Sequence, residues 1–352
     1  MKKIFWLWLF LCLPSFSATI ENVVARQRYP WNGLVDISFE VVGDPTADLP
    51  EGKVAELSVE MTDRTTGKKY VATNLTGDTN PTEGSHRVIW DMTAQGVEVY
   101  SPEAVFAVAY HSDYPRYRVI DISGGSTADQ YPVSFLNTMP TGGWGDAYKT
   151  DKIVLRRIDG TNGVYYAGVF LITGAQWDKV MGSTSTSTKP KDMVSYNSIR
   201  GDAETYDWPT STKVDVSSFI GKLRQKTGLT TLDLPSEAEW EFAARAGVTT
   251  KWLCGDSESG LGKYAWYRSN SGNSAQPVGK LLPNAWGLYD VHGNVWEWCL
   301  ERYSSGNSSR VLRGGSCDRD ASYCAFAYRY YNSPSPQSSG GGFRLFCRPK
   351  SN

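Results

Sequence analysis

The sequence predicts a loop-rich α+β protein of two domains, all-β in its first third and mixed in the remainder. Three observations predict this. The chain has 352 residues, too many for one ordinary domain of roughly 100–200 residues. Its first third alternates apolar and polar side chains, the pattern of half-buried strands. From about residue 130 the composition shifts to Trp, Gly and Asn, with short helices readable from their caps. Thirty-four glycines and 17 prolines fit a loop-rich chain, and 13 Trp, 20 Tyr and 12 Phe supply packed cores. Net charge is −1 and no Lys/Arg run stands out, which argues against a nucleic-acid footprint or a polybasic membrane patch.

Residues 1–17 read as a signal peptide. Lys2 and Lys3 give the positive end, residues 4–13 a short apolar run, and Ser15-Phe16-Ser17 the small residues of a cleavage site. Ten apolar residues are too few for a bilayer, which needs about 20, so no anchor is expected in the mature chain. Export to the periplasm, the medium or the cell surface follows. Cys12 would leave with the peptide; Cys254, Cys299, Cys317, Cys324 and Cys347 remain. An odd count in an oxidising compartment leaves at least one thiol free or paired outside the chain.

Residues 18–112 are expected to form an immunoglobulin-like β-sandwich. Val35-Asp36-Ile37-Ser38-Phe39-Glu40-Val41 and Leu57-Ser58-Val59-Glu60-Met61 alternate, turns fall at Thr66-Gly67 and Thr76-Gly77-Asp78, and residues 104–110 give a last strand. His86 and His111 stand apart in sequence and read as solvated or hydrogen-bonded. Residues 113–133, with Ser123-Gly124-Gly125-Ser126, read as a linker. Residues 134–349 make the second domain. Within it Thr173-x-x-Gln176 is a capping box opening one helix and Gly182 its terminator. A second helix starts at Ser217 and closes at Gly228. Ser236-x-x-Glu239 opens a third that ends at Gly247, and its Glu237, Glu239 and Glu241 read as a solvated face favoured by the helix dipole.

Several segments together resemble one family. They are Gly168-Val169-Phe170 with Gln176-Trp177-Asp178-Lys179-Val180-Met181-Gly182, and Leu234-Pro235-Ser236-Glu237-Ala238-Glu239-Trp240-Glu241-Phe242-Ala243. Pro283-Asn284-Ala285-Trp286-Gly287-Leu288-Tyr289-Asp290 runs on to Gly293-Asn294-Val295-Trp296-Glu297-Trp298, then Arg313-Gly314-Gly315-Ser316 and Gly342-Phe343-Arg344-Leu345. In this order they resemble the formylglycine-generating enzyme, or sulfatase-modifying factor, family, across roughly residues 130–349. The resemblance implies a variant of the C-type lectin fold, and a copper- and oxygen-dependent oxidase that converts a cysteine of a protein or peptide substrate to formylglycine. It places a copper(I) ligand on Cys324, and lines the oxygen pocket with Ser316 and Trp296. The other family cysteine falls on Arg319, which is no metal ligand because its guanidinium stays protonated. Cys317, two positions earlier, is the candidate second ligand, since two soft thiolates suit copper(I). A structural disulfide or inert thiols are the alternative.

The resemblance also implies a structural calcium loop on Asp290, Gly293, Val295 and Glu297, combining carboxylates with backbone carbonyls. Turn capping and pairing with arginines is the alternative for Asp290 and Glu297. A second family calcium site is not carried over, because Trp266 follows Tyr264-Ala265. A three-histidine iron centre cannot form, as His292 is the one histidine of the second domain.

Residues 317–342 support a different function. Their 26 positions hold no Leu, Val, Ile, Met, Lys, Glu, Thr, His or Trp. Tyr323, Phe326, Tyr328, Tyr330 and Tyr331 alternate with small polar residues as in a binding paratope. Variable proteins of diversity-generating retroelements share this fold and diversify this stretch, so a non-catalytic ligand-binding protein is the second expectation. A loop-rich aromatic C-terminus with no such role is the third.

Overall fold

The computed structural model describes residues 19–28, 33–44, 54–72, 74–79, 82–97, 104–113, 115–161, 163–335 and 341–348. The signal-peptide segment lies outside them. The chain divides into two compact units, Met1–Tyr114 and Pro115–Asn352.

In the first unit the alternating runs become antiparallel strands: β1 (Thr19–Gln27), β2 (Leu34–Val42), β3 (Val54–Asp63), β4 (Lys69–Val71), β5 (Leu75–Gly77), β6 (Gly84–Asp91) and β7 (Ala104–Asp113). They form two sheets, ordered β1-β2-β6-β5 and β4-β3-β7. One core joins the inward positions of both, with Val35, Ile37 and Phe39 from β2, Val59 and Met61 from β3, and Trp90 from β6. Period-2 alternation therefore reports one buried face per sheet. His86 stands as expected, its ring nitrogens at 2.9 Å from Asp78 Oδ2 and 2.8 Å from the Thr82 carbonyl. The side chain of His111 lies outside the description.

The second unit is mixed α+β, rich in sheet and poor in helix. Its strands are β8 (Tyr117–Asp121), β9 (Val133–Leu136), β10 (Lys152–Gly160), β11 (Gly163–Gly168), β12 (Leu232–Asp233), β13 (Ala265–Trp266), β14 (His292–Gly293), β15 (Trp296–Arg302), β16 (Arg310–Arg313), β17 (Tyr330–Asn332), β18 (Gly341–Gly342) and β19 (Phe346–Cys347). One sheet runs β12-β19-β11-β10-β8-β9 and another β17-β16-β15-β18, with β13 and β14 paired separately.

The expected linker is a correction: β8 pairs along β10 from Lys152↔Asp121 to Arg156↔Tyr117, and β9 pairs with β8. Tyr117, Arg118, Val119 and Ile120 are all buried, so this strand carries no alternation to betray it. The three expected helices are present as Gly174–Met181, Phe219–Thr227 and Glu237–Arg245, the first and third with complete capping boxes. The second is capped by Ser218 instead of Ser217, because Ser217 is tied to Asp215 while Ser218 Oγ accepts the Gly221 N–H.

Candidate functional site

The double glycine before Ser316 determines how the site is built. Gly314 and Gly315 adopt φ of +91° and +82°, which L side chains resist. A Cβ on Gly315 would lie 2.7 Å from Cys324 Sγ, so only glycine lets the two segments meet. Arg313, immediately before them, is buried and donates to Glu237 at 2.6 Å, to Glu241 at 2.5 Å and to the Phe326 carbonyl. The helix Glu237–Arg245 thus anchors β16. Glu237 also accepts two bonds from Arg329, and Glu239 pairs with Arg348. That face is therefore a carboxylate–arginine network, correcting the solvated face the sequence predicted.

Cys317 and Cys324 are both buried and flank the start and end of one short segment after the double glycine. Cys317 donates its N–H to the Asn294 carbonyl at 2.9 Å and accepts Ser271 Oγ on its own carbonyl at 2.6 Å. Cys324 ends the short turn Ala321–Cys324 in a buried cluster with Trp252, Leu261, Ala265 and Tyr267. Burial first, and then the neighbouring Cys317, push the Cys324 thiol up to about 12, against the pull of the Gly293 and Ser316 amides. Burial and Asp318 push Cys317 up to about 11. Among the described residues Cys254, Cys299, Cys317, Cys324 and Cys347 are all free. Ser316 is buried and its hydroxyl donates to Asp318. Arg319 lies beside Asp318 and over the Tyr323 ring, 5.9 Å from its centroid.

His292, which sequence reasoning used only to exclude iron, holds this segment. Its Nδ1 lies 2.7 Å from the Cys324 carbonyl and its Nε2 3.1 Å from the Leu253 N–H. The partners fix the tautomer: Nδ1–H donates and Nε2 accepts. Burial lowers its pKa to about 4, so the ring is neutral. The available signal was its position directly before Gly293.

Trp296 joins two expectations that the sequence kept apart. It is buried, with Tyr330 stacked on it at 5.0 Å and 20° and Tyr328 at 6.0 Å. Tyr328 continues to Tyr323 at 4.8 Å. Tyr330 continues to Tyr331 at 5.9 Å, which meets Tyr303 at 4.4 Å. Tyr331 is 48% exposed. Phe326 is a correction: it is fully buried in the core with Trp240 and Cys299, 4.4 Å from the His292 ring. Tyr303, which lies outside residues 317–342, takes its place in the aromatic set.

Of the expected calcium loop, Asp290, Gly293, Val295 and Glu297 are all buried. Gly293 has φ +70°, and its N–H donates to the Gly314 carbonyl. Asp290 accepts the Gly279 N–H at 2.8 Å and the Asn294 amide at 3.2 Å, and burial raises its pKa. Both oxygens of Glu297 accept from Arg344, at 2.9 and 3.1 Å. A calcium ion wants six to eight oxygens; these carboxylates are already engaged, and the loop as arranged does not fit one. Among the described residues no three His, Cys, Asp or Glu side chains converge on a metal position. The Cys317–Cys324 pair does fit a two-coordinate soft ion by its chemistry.

A family model described as the sulfatase-modifying factor enzyme 1-like domain matches residues 125–349. The chain belongs to this family. The sulfatase-modifying-factor domain is similar, at 36% identity over 141 residues, to the formylglycine-generating enzyme of Streptomyces coelicolor, covering 32% of this chain and 45% of that protein. It is 37% identical over 136 residues to the inactive C-alpha-formylglycine-generating enzyme 2 of Mus musculus, covering 33% and 44%. The chain therefore spans less than half the length of both relatives. Among solved structures, Treponema denticola variable protein 1 is 26% identical, covering 56% of this chain and 96% of that chain, with a TM-score of 0.45. No helix of the described residues is long and apolar enough to cross a membrane.

Proposed function

We propose that this chain is an exported binding protein whose sulfatase-modifying-factor domain engages a protein partner through the surface formed by Tyr323, Tyr328, Tyr330, Tyr331 and Tyr303. One observation carries the reading: Trp296, which the resemblance assigns to an oxygen pocket, is covered by Tyr330 and Tyr328 of the same chain. Stacked tyrosines present large, pre-ordered contact area at low entropic cost. Arg319 at the family's ligand position supports the same reading. We also read the first unit as immunoglobulin-like, supported by its β1-β2-β6-β5 sheet order.

In-cell photo-crosslinking from position 331 tests the binding reading. A partner adduct that survives Cys324→Ser and disappears with Tyr328→Ala and Tyr330→Ala is expected, and an adduct unaffected by the tyrosines contradicts it. The retroelement form of this reading requires a near-copy of the codons for residues 316–345 in neighbouring DNA, with adenines at the variable positions; a flanking sequence without one ends that form.

The second reading is the oxidase, and Cys317 and Cys324, both free and buried, favour it. Both would hold copper(I), which when bound would supply the redox chemistry for oxidising a substrate cysteine. Because both thiols sit above their ordinary range, binding must expel two protons, so affinity would rise with pH.

A further inference from the structure

We propose that Arg344 is the domain's own structural cation, its guanidinium holding together the loops that the family resemblance assigns to calcium. The guanidinium is buried and has five N–H donors, and each has an acceptor. Nε donates to Glu297 Oε2 at 3.1 Å and Nη2 to Glu297 Oε1 at 2.9 Å. The second Nη2 hydrogen reaches the Tyr289 carbonyl at 2.7 Å. Nη1 reaches the carbonyls of Gly168 at 2.8 Å and Val169 at 3.1 Å.

One carboxylate and three backbone carbonyls are the oxygen set a hard cation collects, here gathered by a fixed charge. The segments joined are the end of β11, the residue before Asp290, and β15. Side chains of both Glu297 and Arg344 are 1% exposed, so water does not share these bonds. Asp290 stands beside this centre with both oxygens on N–H donors. A planar fork with all its hydrogens matched is not replaceable by a Lys point charge.

Thermal unfolding of the full chain with EDTA, and again with millimolar calcium chloride, tests this. The midpoint is expected to agree within about 1 °C between the two, since a ligand that binds only the native state must raise it. Arg344→Met is expected to lower the midpoint by about 10 °C, because it strands Glu297. Arg344→Lys provides the same comparison where the Met variant does not fold, and should also fall well below the parent. Asp290→Asn should lower the midpoint, since its amide nitrogen would face an N–H donor where a carboxylate oxygen accepts, but should leave the response to calcium unchanged. A midpoint several degrees higher in calcium, with that gain lost in Asp290→Asn, would overturn the proposal; so would Arg344→Lys as stable as the parent.

Discussion

Trp296 and Glu297 are neighbours on β15, and successive side chains on a strand point to opposite faces, so they open onto two regions of different kind. On the Glu297 side the buried ion pair is fully matched: the guanidinium of Arg344 satisfies both oxygens of Glu297 and three carbonyls. On the Trp296 side the ring is buried under tyrosines that run outward to the exposed Tyr331. The first region spends its chemistry on holding the loops; the second leaves aromatic area available. One strand thus separates the region that holds the loops from the aromatic surface proposed for binding.

The largest effect that could break this comparison is expected on the Glu297 side. Glu297→Gln keeps the size of the side chain but leaves Arg344 charged and unpaired, and should cost about 3–5 kcal/mol in urea unfolding. A loss below about 1 kcal/mol would mean the region is not committed as described.

His292 gives the next effect. Its folded pKa of about 4 lies below the ordinary value of 6.5, so the folded state binds fewer protons than the unfolded one. Its contribution is complete above pH 6.5 and is lost as pH falls through 4, about 3 kcal/mol in all. Unfolding free energies across that window should show this slope, and His292→Asn should flatten it at reduced overall stability.

Smaller still, Cys324→Ser should cost about 1–2 kcal/mol for a buried hydroxyl in a thiol's place, with partner binding intact. Tyr331→Ala should change stability by less than about 0.5 kcal/mol, as exposed positions do, while weakening binding at least tenfold. Equal effects of Tyr331→Ala and Glu297→Gln on stability would remove the distinction between the two faces.

Much of this was legible in order along the chain. The capping residues Thr173 and Ser236, the alternation in β2 and β3, and the Gly293–Trp298 run are local signals, and they located helices, strands and family. Long-range partners were not local. Nothing near Glu297 names Arg344, 47 positions away, and nothing near Tyr331 names Tyr303. Phe326 looked like its tyrosine neighbours, yet lacks the hydroxyl that would keep an edge in water, and it packs against Trp240 and His292. β8 was missed because a strand buried along its length carries no period.

The measurement closest to the central claim is oxygen uptake by the copper-treated, reduced full chain supplied with a cysteine-containing sulfatase-type peptide. The tyrosine-covered Trp296 predicts no uptake above a peptide-only control and no formylglycine by mass spectrometry. Multiple turnovers that vanish in Cys324→Ala would contradict it, and would move the function from the aromatic surface to the thiols beneath.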